Sequence, residues 1–271
     1  MIRFANNNDI PYLKAIWRVC FDDTDLYIES YYINRPLDAQ ALVWEEDGNI
    51  VASLDLIPIS LKLNGTKYNA IYIYAAATLP EYRKQCIMHK LIDEAARWGL
   101  ENEYHFLSLI PQTESLISFY QNQGFSLPVY RDLISISRNG IGEHENVCFC
   151  SEENFQNKKQ EYEKGFSNAV VHDTSFRSCL YRQTLAGGGS VLSVGSRYAI
   201  CYLSKDKKLF IQEISSNDNT LFSDVNAICS YFYTDSATIA RKGTNNLYGL
   251  FRPLTSLKWD LSDVYMNTML D

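Results

Sequence analysis

Residues 69–92 constrain the fold most, because they hold an apolar stretch, a basic loop and a helical pattern in immediate succession. Residues 71–77 are apolar and β-prone, and Pro80 follows them, which predicts a buried strand. From Arg83 onward, apolar residues recur at spacings of one and two helical turns, which predicts an amphipathic helix. The loop between them combines backbone N–H groups and the positive end of a helix dipole with the charges of Arg83 and Lys84. This combination is typical of a phosphate-binding site.

Hairpins are predicted on the N-terminal side of this segment. Residues 41–44 and 50–58 have the pattern of strands, and the turn-forming residues 45–49 join them. Asn64-Gly65 is a strong hairpin signal that leads into the strand before the basic loop. A further strand is predicted at residues 105–110, between two helices. We therefore expect an α/β (α+β) architecture with a mixed sheet.

A second motif lies about thirty residues after the basic loop, where a predicted helix ends in Tyr120-Gln-Asn-Gln-Gly-Phe125. The stretch Pro80–Met88 resembles the acyl-CoA pyrophosphate loop of the GNAT superfamily of N-acetyltransferases, and the Tyr-x-x-x-Gly-Phe ending resembles its second signature. Both motifs stand in the order and spacing of that family. The resemblance implies the GNAT fold and an N-acetyltransferase that uses acetyl-CoA as co-substrate. Within the superfamily, the N-terminal half is most similar to the enhanced-intracellular-survival type.

The resemblance also implies which residues act on acetyl-CoA. Tyr120 is the expected catalytic residue, as the general acid that protonates the departing thiolate. The expected residues of the acetyl-CoA site are Ala76, Ala77, Thr78, Arg83, Lys84, Gln85, Cys86, Ile87, Met88 and Thr113. Lys84 and Cys86 depart from the family pattern, since glycines stand there and let the backbone approach a phosphate. A non-catalytic protein of this fold, binding CoA or another ligand or partner, therefore remains the alternative function.

No general base stands out from the sequence. Asp55 on a strand and Glu29 on a helix are candidates by residue type only. In the similar family type the terminal carboxylate enters the active site, and here that group would belong to Asp271. The same resemblance implies that the two helices within residues 9–33 line the acceptor side. The expected acceptor is the amine of a small molecule or a peptide, aminoglycoside-like compounds included.

The length of 271 residues suggests one or two domains. We expect a GNAT domain over residues 1–140, a polar linker within residues 138–146 and a second, smaller α+β domain over residues 147–271. The second half repeats the element order of the later part of a GNAT domain but contains neither motif. This predicts a degenerate GNAT-like domain without an acetyl-CoA site of its own, and a sterol-carrier-like module is the alternative.

Composition narrows the remaining function classes. A formal net charge of −7 argues against a nucleic-acid partner, and no apolar run is long enough to predict a membrane span. The seven cysteines are scattered, as in a reduced, cytoplasmic protein. The four histidines show no ligand spacing, so no metal is expected. The sequence leaves a homo-oligomer open.

Overall fold

The computed structural model describes residues 1–139 and 147–270. The strands are β1 (Ile2–Phe4), β2 (Gln40–Glu46), β3 (Asn49–Leu63), β4 (Thr66–Thr78), β5 (Phe106–Leu109), β6 (Leu127–Ser137), β7 (Val147–Phe149), β8 (Ala169–Val171), β9 (Ser190–Val194), β10 (Arg197–Leu203), β11 (Leu209–Ile214), β12 (Ser236–Lys242) and β13 (Asn246–Pro253). The helices are α1 (Ile10–Cys20), α2 (Asp25–Asn34), α3 (Ile87–Glu101), α4 (Glu114–Gln121), α5 (Glu152–Lys164), α6 (Thr174–Ala186) and α7 (Asp218–Phe232). Of the predicted linker, residues 140–146 lie outside the described part.

The described strands form one mixed sheet. Their order is β1-β2-β3-β4-β5-β13-β6-β12-β11-β10-β9-β7, and β8 pairs with β3 beside this path. Two neighbouring pairs are parallel, β4 with β5 and β11 with β12, and the others are antiparallel. The prediction of an α/β fold with a mixed sheet is therefore confirmed.

Strand β3 runs without interruption from Asn49 to Leu63, whereas the sequence predicted a strand only as far as residue 58. Pairing with β2 ends at Leu56, so no β2 ladder bond is lost at the proline, which lacks an N–H. The long strand then pairs with β8 through residues 60–62. Strand β3 can therefore continue through Pro58, because this residue lies beyond the stretch of β3 that pairs with β2.

Helices cover both faces of the sheet. On one face α3 buries Ile87, Leu91, Ile92 and Ala95 against β2 to β5, which confirms the predicted apolar stripe. On the other face, residues of α1, α2, α5 and α6 share a second apolar cluster with β3, β4 and the C-terminal segment. The N-terminal part of the sheet is thus packed between two layers, as buried strands require.

Strand β13 joins the two halves of the chain. It pairs antiparallel with β5, from Leu250 opposite Leu109 to Pro253 opposite Phe106, and on its other edge with β6. The second edge of β6 pairs with β12. A strand from the C-terminal half therefore lies between two strands of the N-terminal half, and the proposed boundary near residue 140 stays a prediction.

Buried charges hold the C-terminal segment in place. Lys159 Nζ lies 2.6 Å from Glu213 Oε1 and 3.7 Å from Glu163 Oε1, and all three side chains are almost completely buried. Glu213 Oε2 accepts a hydrogen bond of 2.9 Å from the backbone N–H of Thr268. Glu163 also lies 2.9 Å from His172 Nδ1. The polar sequence of α5 does not indicate that these charges are internal.

We predict that residues 1–140 do not fold alone, although they contain both GNAT-like motifs. Without β13, the paired edges of β5 and β6 would be exposed, and the apolar cluster shared with the C-terminal half would lose its partners. The fragment should give a poorly dispersed amide NMR spectrum and no cooperative thermal transition. Adding separately produced residues 147–271 is the control and should restore dispersion. A dispersed spectrum of the fragment by itself would contradict the role given to β13.

Candidate acetyl-CoA site

The candidate site begins where β4 separates from β5. Parallel pairing joins the two strands only from Ala70 opposite Phe106 to Tyr72 opposite Ser108. Strand β4 continues to Thr78, whereas β5 ends at Leu109. Residues 73–78 therefore face a gap on the β5 side, and this gap opens into a cleft of about 1030 Å³. Unpaired strand edges of this kind can hydrogen-bond an extended ligand.

A bulge bends β4 at the mouth of this gap. Ser53 of β3 is opposite Ala77 and Asp55 is opposite Tyr74, so the register shifts between them. Ala75 lies in the left-handed region with φ of +48°. The small side chains of Ala75, Ala76 and Ala77 line the cleft. Bulges redirect backbone groups beside functional sites, and the sequence did not indicate this one.

The basic loop ends later than the sequence predicted. A short 3₁₀ turn spans Pro80–Tyr82, and helix α3 begins at Ile87 and not at Arg83. The reason is that Lys84 and Cys86 take positive φ angles of +62° and +58°, which an α-helix cannot contain. These are the positions where the family has glycines. A left-handed backbone explains that preference directly, and each non-glycine residue there costs roughly 1 kcal/mol.

Most of the predicted loop residues reach the cleft. It is lined by Arg83, Lys84, Cys86, Ile87 and Met88 together with Ala76, Ala77 and Thr78. Gln85 does not line it, because its side-chain amide donates to the carbonyl of Glu81.

The guanidinium of Arg83 folds back over the end of β4. Its Nε donates a hydrogen bond of 3.0 Å to the Thr78 carbonyl. The loop thus places two positive charges, on Arg83 and Lys84, beside the N-terminus of a 15-residue helix. This is the arrangement that binds phosphate groups.

Tyr120 of α4 also lines the cleft. Its ring packs against Phe119 and Phe125, with centroid distances of 5.2 Å and 5.7 Å. The side chain is 8% exposed, and its hydroxyl has no hydrogen-bond partner within the described residues. Burial raises the pKa of Tyr120 to about 12, so the phenol keeps its proton at neutral pH. A protonated hydroxyl that faces a cleft without a protein partner can donate to a ligand.

The rest of the second motif is structural. The helix ends at Gln121, and the N–H groups of Gln123 and Phe125 donate to the Tyr120 carbonyl. Gly124 has a φ of +84°, which explains the glycine, and Phe125 is completely buried. Predicted at the acetyl-CoA site, Thr113 instead caps the start of α4, where its hydroxyl accepts from the Leu116 N–H, and it does not line the cleft.

The candidate general bases lie elsewhere. Glu29 forms ion pairs with Lys14 and Arg18 at the surface and does not line the cleft. Asp55 is buried below α2, and burial raises its pKa to about 6, but it does not reach the cleft either. Asp271 lies outside the described residues.

Further residues that line the cleft are Trp17, Phe21, Asp23, Tyr27, Tyr72, Tyr74, Arg131 and Leu270. Trp17 and Tyr27 belong to α1 and α2, the two helices expected on the acceptor side, whereas the sequence did not single out the others. The hydroxyl of Tyr72 donates a hydrogen bond to the Leu270 carbonyl. Tyr74 lies two residues before Ala76, so its place beside the cleft could have been inferred from the sequence. Arg131 and Leu270 come from distant parts of the chain and carry no such signal.

Within residues 1–139 and 147–270, no cluster of three or more His, Cys, Asp or Glu side chains could hold a metal ion. No helix in the described part of the chain is both long and apolar enough to cross a membrane.

Comparisons with known proteins agree with this geometry. Residues 1–127 match the sequence profile of the acetyltransferase (GNAT) domain. No curated protein matches the chain. Among solved structures, the chain is similar to a conserved protein of unknown function and probable N-acyltransferase from Enterococcus faecalis V583, with a TM-score of 0.74 and 13% identity over 94% of this chain and 72% of that one.

Two further structures show the same likeness of fold. A GCN5-related N-acetyltransferase from Anabaena variabilis aligns with a TM-score of 0.67 and 15% identity, covering 94% of this chain and 73% of that one. Eis1 from Mycobacterium abscessus aligns with a TM-score of 0.66 and 11% identity, covering 94% and 74%. The chain has the fold of these GNAT proteins, and its match to the GNAT acetyltransferase domain extends over residues 1–127.

Proposed function

We propose that the protein is an acetyl-CoA-dependent N-acetyltransferase that transfers the acetyl group to a primary amine by direct attack on the thioester. The observation that carries this proposal is the gap between β4 and β5, which leads directly into the positively charged loop before α3. One continuous cleft thus offers backbone groups for an extended arm at one end and positive charge for phosphates at the other.

The residues of the cleft fit this co-substrate. The pyrophosphate would lie at the N-terminus of α3, within reach of the loop N–H groups and of Arg83 and Lys84. The pantetheine arm would pair with the unpaired edge of β4 beside Ala75 and Ala76, where no large side chain blocks a close approach. Bound acetyl-CoA supplies the activated acetyl thioester.

The protein's part in the reaction is to position the two substrates and to transfer protons. A neutral amine nitrogen forms the new bond to the carbonyl carbon, and the carbon–sulfur bond breaks. Backbone groups of bulged β4 residues would stabilise the charge that develops on the carbonyl oxygen. The Tyr120 hydroxyl would donate its proton to the departing sulfur and be reprotonated from water, while the amine nitrogen loses its proton to solvent.

The alternative is a non-catalytic protein that binds CoA or another ligand with the same fold. The strained positions of Lys84 and Cys86, where glycine would be unstrained, favour it. Retention of Tyr120 in the cleft favours the enzyme. We also propose a reduced, cytoplasmic location, which is supported by seven free cysteines.

We predict that Arg83→Glu weakens CoA binding by tenfold or more, about 1.4 kcal/mol, because it reverses a charge at the phosphate end of the cleft. Isothermal titration calorimetry with CoA measures the effect. Lys67→Glu is the matched control. Lys67 is exposed near the start of β4, at the end of that strand away from the basic loop, and it lies outside the cleft. Equal affinities for wild type and Arg83→Glu would place the phosphates elsewhere.

We predict that Tyr120→Phe lowers kcat by about 10²-fold, because it removes the proton donor and keeps the ring and its packing. The pKa of Tyr120 near 12 keeps the wild-type group protonated, so the loss should be the same at every pH from about 6 to 10. CoA affinity and thermal stability should change little.

Tyr12→Phe is the control for this variant, since Tyr12 is an exposed residue of α1. Slow hydrolysis of acetyl-CoA can be measured before an acceptor is known. An unchanged rate in Tyr120→Phe would mean that a different group protonates the thiolate, and an equal loss of stability would identify Tyr120 as a packing residue.

A further inference from the structure

The acceptor side of the cleft combines an aromatic wall with one guanidinium. We define the aromatic wall as Trp17, Phe21, Tyr27, Tyr72 and Tyr74, all of which line the cleft. Arg131 of β6 lines the cleft as well, and its guanidinium carbon lies 4.0 Å from the centroid of the Tyr248 ring. The transfer of an acetyl group from a thioester does not itself require either feature.

The wall and the guanidinium lie on the same face of the sheet. Val129 and Arg131 are two residues apart on β6 and therefore point to the same face. Val129 belongs to the apolar cluster that contains Tyr72 and Tyr74, whereas Tyr120 belongs to the cluster beneath α3. An acceptor on the Arg131 side would therefore approach the thioester from the side of the sheet opposite the cluster that contains Tyr120.

The aromatic wall is held rigidly by its own contacts. The ring of Trp17 meets those of Phe21 and Tyr74 edge to face, at centroid distances of 5.9 Å and 5.5 Å. Tyr72 and Tyr74 stack at 5.9 Å, and the hydroxyls of Tyr27 and Tyr74 are 3.1 Å apart. Such a surface binds an aromatic or large apolar group by area and by ring contacts.

One carboxylate and one guanidinium lie beside the wall. The carboxylate of Asp23 already accepts a hydrogen bond of 2.8 Å from the indole of Trp17. Arg131 is partly exposed and forms no ion pair with a carboxylate of the described residues. A guanidinium binds a carboxylate through two parallel hydrogen bonds and repels additional positive charge.

We propose that the acceptor is an α-amino acid, or a closely similar amine, with an aromatic or large apolar side chain. Its carboxylate binds Arg131, its side chain packs on the aromatic wall, and its amine faces the bulge at Ala75 and Ala76. The products are CoA and the N-acetyl amino acid, in which the carboxylate is unchanged. This inference rests on the proposed acetyltransferase function.

Matched pairs of amines test the inference. Tryptophan and tryptamine, and likewise tyrosine and tyramine, differ only in the carboxylate. For the wild type, kcat/KM should be at least tenfold higher for the amino acid of each pair and higher than for kanamycin. In Arg131→Gln, the ratio of kcat/KM between the amino acid and the amine should fall to about one in each pair. Arg97→Gln, at an exposed position of α3, is the control and should retain the preference.

Several outcomes would overturn the inference. The amines could react as fast as the amino acids, the preference could survive in Arg131→Gln, or kanamycin could be the best acceptor. If CoA binds by calorimetry but neither member of either pair is acetylated, the acceptor class is wrong and the proposed function stands. If CoA does not bind, the proposed function itself fails, and the inference fails with it.

Discussion

The insertion of β13 between β5 and β6 is the constraint on which the shape of the cleft depends. It occupies one edge of β5 along the full four residues of that strand. The other edge pairs with β4 for only three residues, after which β5 ends and β4 continues to Thr78. The gap therefore follows from the lengths and pairings of three strands, one of which comes from the far end of the chain.

The same C-terminal half also contributes Leu270 to the lining of the cleft, and internal charges fix the position of this segment. Glu213 accepts from Lys159, from the hydroxyl of Tyr198 and from the backbone of Thr268. The carbonyl of Leu270, two residues further on, accepts from Tyr72 in the cleft. Removing one partner of a buried ion pair typically costs about 3–5 kcal/mol, because a charge is left uncompensated. The network thus connects the interior of the second half to the cleft.

Local patterns in the sequence predicted the elements that carry local signals. The strand before the basic loop, the apolar stripe of α3 and the mixed sheet were all predicted, because periodicity and motif spacing are short-range properties. The left-handed backbone at Lys84 and Cys86 was not, since neither residue type favours it. Without that conformation, the helix was predicted to begin four residues too early.

Features that depend on distant partners were missed. Nothing near Arg131 indicates that β12 and β13 will flank its strand, and nothing in the polar pattern of α5 shows that Lys159 is internal. Conversely, Asp55 and Glu29 were candidates by residue type, and the fold places neither in the cleft. Chemistry that depends on side chains from several elements could therefore be proposed only once the sheet was known.

A crystal structure of the protein with bound acetyl-CoA would test the central claim most directly. We expect the pyrophosphate at the N–H groups of the loop before α3, and the pantetheine arm between β4 and β5 beside Ala75 and Ala76. The thioester sulfur should lie within hydrogen-bond distance of the Tyr120 hydroxyl. Acetyl-CoA bound outside this gap, or no binding at millimolar concentration, would contradict it.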